Sequence, residues 1–527
     1  MIEPSTRPRV RLAELLAVLS LGADLGMGQP MEHVMRECLI ALRLAERVGL
    51  SESERAVAYY VALLAWVGCH VDSYEQAKWF GDEFALKGDF RLTNITGTAS
   101  GMAYMMRHLG AGKPLAERVR LGVAFLGEGR RNAEDMLENH WLAADGFASQ
   151  LGLGGDVRHG IQQTFERWDG KGVPHGARGE EISMVARIVN LADVVEVYHR
   201  AGGVEAAVAV ARERAGIQFD PALVDTFCAE APMLFSDLEA ATTWEAVIGA
   251  EPALQISLSE EEFDSALEAM ADFTDLKSPY TMGHSRAVAD LAGGAARTYA
   301  LPDAEATSVR RAGLVHDLGR LGVSNAIWDK RGELTPAEQE RVRLHPYLSE
   351  RMLASSSALA PLGAISIQHH ERLDGSGYPR GLSGDALTPA GRVLAAADAY
   401  AARREPRPHR PERSEEEAAA DLRDLVRTGR LDGDAVDAVL RAAGHRVGRR
   451  RDRPAGLTSR EVDVLRLVAL GLSTREIAER LVISPKTAGN HVEHIYAKIG
   501  VSNRARASLF AAKHGLMAAD PVIDEAR

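Results

Sequence analysis

The sequence has 527 residues, of which 46% are apolar and 26% are charged, and it contains only three cysteines. This length exceeds what one hydrophobic core supports, since a domain holds about 100 to 200 residues, and the composition excludes a disordered or fibrous chain. Three cysteines without a C-x-x-C pair exclude a disulfide framework and a thiolate zinc site, and they favour a reducing cytoplasm.

The net charge of −12 is distributed unevenly along the chain. Between Arg446 and Leu516, 14 Lys or Arg residues stand against 6 Asp or Glu residues, whereas the rest of the chain is acidic. Only this C-terminal segment is therefore expected to contact an anionic polymer. No membrane partner is expected, because the uncharged run from Ala56 to Val71 is shorter than the roughly 20 residues that span a bilayer.

The sequence before the basic segment contains an internal repeat. At an offset of 205 residues, the segment from Phe165 to Pro174 aligns with the segment from His370 to Pro379, and His140 aligns with His345. At an offset of 251 residues, His33 aligns with His284. These matches predict two copies of one domain, over residues 1–250 and residues 253–445.

Both copies are predicted to be helical. Apolar residues recur at helical spacing, as they do after His284, and alternating β-branched runs of strand length are scarce. The second copy is expected to begin after Pro252, at the capping box of Ser259 and Glu262. The basic segment Gly448–Pro454 predicts a linker to a third domain, over residues 455–519. The predicted fold is all-α, with tandem helical domains before a small four-helix domain.

Potential metal ligands are concentrated in the second copy. A lone histidine on a helix is usually a packed or surface residue, but this set has seven members in one domain. Imidazole and carboxylate ligands suit iron or manganese, and a pair of such ions can promote attack of water on a phosphodiester. The set consists of His284, His316, Asp317, His345, His369, His370 and Asp398.

The second copy resembles the HD-GYP family of metal-dependent phosphohydrolases over roughly residues 259–444. The motifs that carry the resemblance are His316-Asp317, His345-Pro346, His369-His370-Glu371-Arg372, the segment Asp374–Pro379 and Ala397-Asp398. The resemblance implies an all-α fold, two or three transition metal ions, most often iron or manganese, and cleavage of a phosphodiester such as cyclic di-GMP.

The same resemblance implies a role for each residue. One ion would be bound by His284, His316, Asp317 and Asp398, and the other by Asp317, His345, His369 and His370, so that Asp317 bridges them. Asp317 and Arg320 are the implied catalytic residues. The implied substrate loop contains Asp374, Gly375, Gly377, Tyr378 and Pro379.

Three positions depart from the family pattern. Arg320 replaces a lysine, and the two side chains bind phosphate differently. Tyr280 stands where members with a third metal have a glutamate, which favours a site with two ions. Ala401 replaces an acidic residue. Two hypotheses therefore stay open: a phosphodiesterase whose substrate or product alters DNA binding, and a domain that senses a nucleotide or a metal without turnover.

The first copy lacks four of the ligands. Ala65-Trp66 aligns with the His-Asp pair, and Thr164-Phe165 aligns with the double histidine. The residues that persist are His33, His140, Asp169 and Asp193, with His70 and Asp72 nearby. They could form a weaker metal or ligand site, but we favour a packing role, because two aromatic side chains would fill the cavity. This half would then be a scaffold, a dimerisation domain or a sensor.

The C-terminal segment shows the start signals of four short helices in order. They are the capping boxes Thr458–Glu461 and Ser473–Glu476, the pair Ser484-Pro485, and Ser502. The segment resembles the LuxR-type helix-turn-helix, which binds duplex DNA. The resemblance implies a recognition helix over residues 485–499. The implied DNA-binding residues are Ser484, Lys486, Thr487, Asn490, Glu493 and His494, with Lys498 and Arg504 at phosphates. Paired half-sites make a homodimer the expected state.

Overall fold

The computed structural model describes residues 10–93, 98–238, 243–252, 256–447, 454–457, 459–481, 483–514 and 516. Across these ranges the chain forms helices and no named β-strand, so the all-α prediction is confirmed. The predicted linker at residues 448–453 and the predicted cap at Thr458 lie outside the described residues.

The first copy is built from long and short helices in sequence. They are α1 (Leu12–Gly26), α2 (His33–Arg47), α3 (Glu52–Leu64), α4 (Ser73–Phe80), α5 (Glu83–Leu92), α6 (Thr98–His108), α7 (Leu115–Gln150), α8 (Gly155–Gln162), α9 (Met184–Arg214), α10 (Pro221–Leu234) and α11 (Thr243–Gly249). Short 3-10 helices cover Val67–His70 and Gly179–Glu181.

The second copy continues the same pattern. Its helices are α12 (Glu260–Asp275), α13 (His284–Thr298), α14 (Asp303–Val315), α15 (Asn325–Trp328), α16 (Pro336–Arg343), α17 (His345–Leu353), α18 (Ala360–Ser366), α19 (Pro389–Arg404), α20 (Glu415–Arg427) and α21 (Gly433–Ala442), with 3-10 helices at Leu318–Gly322 and Gly384–Ala386. Ser259 caps α12 as predicted, since its Oγ accepts from the Glu262 N–H at 3.2 Å.

The two copies match helix by helix at the offsets found in the sequence. The helices α2 and α3 begin 251 residues before α13 and α14, and α8 and α9 begin 205 residues before α18 and α19. A Cβ atom on Gly68 would lie 2.0 Å from the His140 carbonyl oxygen, and one on Gly319 would lie 2.0 Å from the His345 carbonyl oxygen. Only glycine fits this close approach, so the repeat extends to backbone contacts.

The copies share one continuous hydrophobic core, to which α1 and α12 both contribute. The segment before α12 also pairs with the segment before α1. The Leu12 N–H donates to the Ile256 carbonyl at 2.9 Å, and the Leu258 N–H donates to the Val10 carbonyl at 2.9 Å. Burial of apolar surface is the main stabilising term, so each copy contributes to the stability of the other. The boundary at residues 250–253 stays a prediction.

The C-terminal segment forms α22 (Ser459–Ala469), α23 (Thr474–Leu481), α24 (Pro485–Ile499) and α25 (Arg504–Lys513), after a 3-10 helix at Pro454–Gly456. These helices pack around a core of their own. The caps at Ser473 and Ser484 are confirmed, because each Oγ accepts a backbone N–H of its helix at 3.3 Å and 3.0 Å respectively. The fourth helix is capped by Asn503 instead of Ser502, because the Asn503 Oδ1 accepts from the Arg506 N–H at 3.0 Å.

Across the described residues, no single helix is both long enough and apolar enough to cross a membrane. One pair of helical segments, Glu52–His70 and Ser73–Phe80, satisfies the length and composition criteria together, with a bend of 52° between them.

Candidate metal centre and DNA-binding surface

The seven predicted metal ligands of the second copy converge at the ends of its helices. His284 begins α13, His316 and Asp317 follow α14, and His345 begins α17. All seven side chains are buried except that of His370, which is 23% exposed. The remaining ligands, His369, His370 and Asp398, follow α18 or lie within α19.

Three groups of three side chains in this copy have ligand atoms within 4.8 Å of one another. One is His284, His316 and Asp398, another is His345, His369 and His370, and the third, His316, Asp317 and His369, takes a histidine from each of the first two. Spacings of this order allow three ligands to share one ion. The first two groups therefore agree with the two ions that the family resemblance implied.

Asp317 lies between these two groups. Its Oδ2 is 3.6 Å from His284 Nε2, whereas its Oδ1 is 3.3 Å from His345 Nε2 and 3.7 Å from His369 Nε2. Oδ1 also lies 3.6 Å from His316 Nε2, so Asp317 contacts members of both groups. This is the position that a bridging ligand requires.

Backbone carbonyls fix the orientation of three of the imidazole rings. The Nδ1 atoms of His316, His345 and His369 bond to the carbonyls of residues 313, 342 and 366, at 2.8 Å, 2.6 Å and 2.6 Å. A carbonyl can only accept, so each Nδ1 carries the proton and each Nε2 keeps a lone pair that faces the centre. Metal-binding histidines are commonly oriented in this way.

Electrostatics at the centre favours an ionised Asp317 and a neutral His369, but a protonated His284. Burial opposes ionisation of Asp317, but His316 and Arg320 outweigh it and hold the pKa of Asp317 well below its usual value. Burial also lowers the pKa of His369, to about 3. Against burial, Asp398 and Glu405 raise the pKa of His284 to about 10, so a metal ion would have to displace the proton of His284.

One atom of the centre has an unmet bonding requirement that a cation would satisfy. The Nε2 of His316 is buried and has no hydrogen-bond partner. A buried polar atom without a partner is costly. Because the same atom is 3.6 Å from Asp317 Oδ1 and 3.9 Å from Asp398 Oδ1, the residues present fit a divalent metal ion.

Arg320 is held against the centre from two sides. Its Nη1 lies 3.2 Å from Asp317 Oδ2, and its Cζ lies 3.9 Å from the centroid of the Trp328 ring. The indole of Trp328 also packs edge-on against His345, with ring centroids 5.3 Å apart. Arg320 is thus fixed in place, with 15% of its side chain exposed.

The predicted substrate loop closes over the second group of ligands. The ring of Tyr378 lies 4.8 Å from the ring of His370, and the Arg343 guanidinium lies 5.8 Å from the Tyr378 centroid. A Cβ on Gly377 would lie 2.4 Å from the Arg372 backbone nitrogen, so this position requires glycine. At the rim of the loop, Asp374, Gly375 and Pro379 complete the predicted set, and Asp374 Oδ1 accepts from the Ser376 N–H at 3.0 Å.

Sequence reasoning missed several residues that contact the centre. The Nδ1 of His284 lies 2.9 Å from Glu405 Oε1, and Glu405 Oε2 accepts from Arg407 at 2.7 Å. Trp328 was missed as well. Glu405 stands seven residues after Asp398, a spacing of two helical turns that could have indicated it. Trp328 and Arg407 continue no ligand motif, and only the folded chain brings them to the site.

In the first copy, aromatic side chains occupy the position of the lost ligands. The ring of Trp66 lies 5.7 Å from that of Phe165, which lies 4.7 Å from that of His140. The indole N–H of Trp66 donates to Glu37 Oε2 at 2.8 Å. This arrangement supports the packing role that we favoured for this half.

The residues that persist in the first copy do not all meet. His33 bonds to Glu196 at 2.5 Å and to Asp193 at 3.1 Å, and Glu37 has a ligand atom within 4.8 Å of both His33 and Asp193. In contrast, Asp169 pairs with Arg167 at 2.9 Å. The remaining predicted members also bond elsewhere: His140 to the Ala65 carbonyl at 2.7 Å, His70 to the Phe273 carbonyl at 2.5 Å, and Asp72 to Asn139 at 3.0 Å.

The predicted DNA-binding residues lie on α24 and beside it. Lys486, Asn490, Glu493 and His494 are exposed on this helix. Ser484 and Thr487 bond to each other at the start of α24. The Ser484 Oγ accepts from the Thr487 N–H and lies 2.8 Å from the Thr487 Oγ1. The exposed face is available for contact with base edges.

The two predicted phosphate contacts, Lys498 and Arg504, are bonded inside the domain. Lys498 Nζ donates to Glu461 Oε2 at 2.8 Å, and Arg504 Nη1 donates to the Gly471 carbonyl at 2.8 Å. Both side chains therefore support the packing of neighbouring helices. A phosphate contact by either one stays a prediction.

Comparison with known proteins places this arrangement in a family. The HD domain model matches residues 128–223 and 268–435, in both copies. The 3′3′-cGAMP-specific phosphodiesterase 3 of Vibrio cholerae is 32% identical over 435 residues, which cover 82% of this chain and 94% of the relative. The chain belongs to the HD-domain family. Its second copy is the HD-GYP type of metal-dependent phosphohydrolase that the ligand motifs indicated.

Other comparisons agree with this HD-domain assignment. A cyclic di-GMP phosphodiesterase of Thermotoga maritima is 33% identical over 185 residues, which cover 34% of this chain and 50% of the relative. A crystal structure of a cyclic GMP-AMP specific phosphodiesterase from Vibrio cholerae superposes with a TM-score of 0.58 at 29% identity, and the match covers 83% of this chain and 99% of that one.

The C-terminal segment belongs to a different family from the HD domains. The model for bacterial regulatory proteins of the luxR family matches residues 455–511. The LuxR-type helix-turn-helix prediction is therefore confirmed, and the chain joins a phosphohydrolase to a DNA-binding regulator.

Proposed function

We propose that this protein hydrolyses a 3′3′ cyclic dinucleotide, either cyclic GMP-AMP or cyclic di-GMP, and that the nucleotide controls DNA binding by the C-terminal domain. The observation that carries the proposal is the position of Asp317 between two groups of three ligands. Relatives named for each nucleotide support the choice of substrate class, and the one that matches over most of its length is named for cyclic GMP-AMP.

We infer that the centre holds two ions of iron or manganese, since imidazole and carboxylate ligands suit both metals. When bound, a pair of such ions supplies Lewis-acid activation of water and of a phosphoryl oxygen. The role of the chain is to fix the ligand rings through the backbone carbonyls described above. Asp317 and Asp398 balance the positive charge of the ions.

Cationic side chains near the centre suit a substrate with two phosphates. Arg320 Nη1 lies 3.2 Å from Asp317 Oδ2, and Arg407 Nη2 donates to Glu405 Oε2 at 2.7 Å, so both guanidinium groups lie beside the centre. Guanidinium groups bind phosphate oxygens through charge-assisted hydrogen bonds. We expect Arg320 and Arg407 to orient the phosphates, and the ring of Tyr378 to contact a base.

The test of the enzymatic part is direct. Full-length protein is loaded anaerobically with manganese or iron and incubated with cyclic GMP-AMP and cyclic di-GMP, and linear products are separated by chromatography. Turnover of either nucleotide supports the proposal, with Asp317→Asn as the inactive control. Tight binding of a nucleotide without any product would instead support the alternative of a sensor that performs no turnover.

We expect the C-terminal domain to bind duplex DNA as a homodimer. One recognition helix reads only a few base pairs, so specificity normally requires two copies on paired half-sites. The exposed residues of α24 that face solvent, including Asn490 and Lys486, support this role. We expect the protein to be cytoplasmic because its two proposed partners are DNA and a cyclic dinucleotide.

The regulatory part is tested by selecting DNA from random sequence with the full-length protein, in the presence and absence of the hydrolysable nucleotide. We expect an enriched site with two half-sites and an affinity that changes when nucleotide is added. Enrichment of no sequence, or an affinity independent of nucleotide, would contradict the DNA-binding or the coupling part respectively. Sedimentation of the protein on a single half-site and on a double half-site measures the stoichiometry.

A further inference from the structure

The half of the chain without a complete metal site packs directly on the active-site turn of the other half. The 3-10 helix Leu318–Gly322 follows Asp317 and carries Arg320. A Cβ on Gly22 of α1 would lie 2.7 Å from Leu321 Cδ1, and one on Gly322 would lie 3.1 Å from Leu25 Cδ1. The surfaces of α1 and the turn are therefore in close contact, with no space between them for water.

A buried carboxylate from the first copy extends this contact toward the site. Glu83 begins α5, and its side chain is fully buried. Its Oε2 accepts from the Ser324 hydroxyl at 2.6 Å, and its Oε1 accepts from the Asn325 N–H at 2.6 Å. The buried Lys277 Nζ lies 3.9 Å from Oε1 as well. A buried carboxylate is stable only with such partners, so Glu83 and the start of α15 hold each other in place.

The short helix that Glu83 holds carries Trp328. The Trp328 ring lies over the Arg320 guanidinium, and its Nε1–H donates to the Arg320 carbonyl at 3.4 Å. The same ring packs against His345. A displacement of α15 would therefore move the Trp328 ring, which contacts both Arg320 and the metal ligand His345.

We propose that Glu83 is a positioning residue for phosphodiester cleavage, supplied by the copy that lacks a complete metal site, and that it acts on Arg320 through Ser324, Asn325 and Trp328. This inference rests on the proposed role of Arg320 toward phosphate. It gives the first copy a function: it fixes the geometry of a site that it no longer contains.

The experiment compares Glu83→Ala with Glu83→Gln in the full-length, manganese-loaded protein. The substrate is bis(p-nitrophenyl) phosphate, a diester whose cleavage is independent of nucleotide recognition. We expect Glu83→Ala to lower kcat/KM roughly tenfold at unchanged metal content, as loss of a supporting hydrogen bond does at other metal sites. Glutamine keeps an acceptor for the Asn325 N–H, so Glu83→Gln should retain most of the wild-type activity.

A double-mutant cycle separates positioning from general destabilisation. If Glu83 acts through Arg320, Glu83→Ala should have little further effect in an Arg320→Ala background. Equal losses in both backgrounds would overturn the proposal, as would a parallel loss of metal. Glu251→Ala is the matched control, because Glu251 is another buried carboxylate, and its partners Tyr60 and Arg11 both belong to the first copy.

Hydrogen–deuterium exchange gives a measurement that needs neither activity nor metal. Glu83→Ala should speed exchange in peptides that contain Asn325 and Trp328, and Glu251→Ala should not. Unchanged exchange there would overturn the proposal even if activity fell. If Glu83→Ala does not fold, Ser324→Ala removes one of the same two bonds. Cleavage of the model diester without cleavage of any cyclic dinucleotide would refute the proposed substrate and leave this inference intact.

Discussion

Replacing Asp317 with asparagine tests the two-ion centre most directly, because the variant keeps the size of the side chain and removes its charge. In the wild type, Asp317 Oδ1 lies within 3.7 Å of His345 Nε2 and His369 Nε2. Without it, the group His345, His369 and His370 has no carboxylate, whereas the other group keeps Asp398. The two groups should therefore lose affinity unequally.

The size of the loss follows from Coulomb's law. Two unit charges about 4 Å apart at an effective dielectric constant of about 20 attract each other by about 4 kcal/mol, which is about a thousandfold in affinity. A divalent ion carries twice the charge assumed here, so the thousandfold loss of affinity is a minimum. We expect metal content to fall from two ions per chain to one, and turnover to fall below detection.

Mass spectrometry of metals after anaerobic purification measures the expected change. The matched control is Asp385→Asn, which removes a carboxylate that is 89% exposed, and it should keep the full metal content. If Asp317→Asn retained two ions per chain, Asp317 would not be the bridging ligand. If the control also lost metal, the loss would reflect net charge instead of ligation.

The other predictions concern the DNA-binding surface and the first copy. Lys486→Ala should lower the slope of log affinity against log salt by about 0.9, the value for one phosphate contact, in a binding titration. Lys498→Ala should mainly lower the melting temperature of the C-terminal domain, because Lys498 pairs with the buried Glu461. Asn490→Ala should relax preference at one base position by about 1 to 3 kcal/mol, measured by selection from random DNA. Burial opposes protonation of His33, but its carboxylate neighbours raise its pKa from 6.5 to about 10. His33→Gln should therefore lower the free energy of unfolding fully below pH 6.5, and the difference from wild type should vanish as the pH rises through about 10. Urea unfolding at several pH values measures this difference.

Most ligands of the metal centre could be predicted from the sequence because they belong to short motifs. His316-Asp317 and His369-His370 are adjacent pairs, and the repeat supplied a second copy against which their presence could be judged. The capping serines were predictable for a related reason, since a cap and its partner are three residues apart. Local spacing is sufficient for features of this kind.

Contacts between distant parts of the chain could not be predicted in the same way. Glu83 and Ser324 are 241 residues apart, and nothing in either local sequence indicates that they meet. The same holds for Lys498, which reads as an exposed cation of a recognition helix until its bond to Glu461 is seen. Such pairs depend on how helices pack, and packing is not encoded in the period of a single helix.

The comparison of the two copies shows how a metal site can be lost while its surroundings persist. In the second copy, His284 faces Asp398 at 3.5 Å, and the centre has carboxylates that require a cation. In the first copy, the equivalent His33 is held between two carboxylates, and burial of Glu196 is outweighed by His33 and Arg36, which lower its pKa to about 2. A protonated imidazole thus supplies positive charge here, and against burial Asp398 and Glu405 raise the pKa of His284 to about 10 in the same way. The copies differ in the other ligands, which the first copy lacks and which would let a metal ion replace the proton in the second. Because charge is balanced in this way, the first copy can keep the helix packing of the family without a metal, and that packing is what brings α1 and Glu83 against the active site.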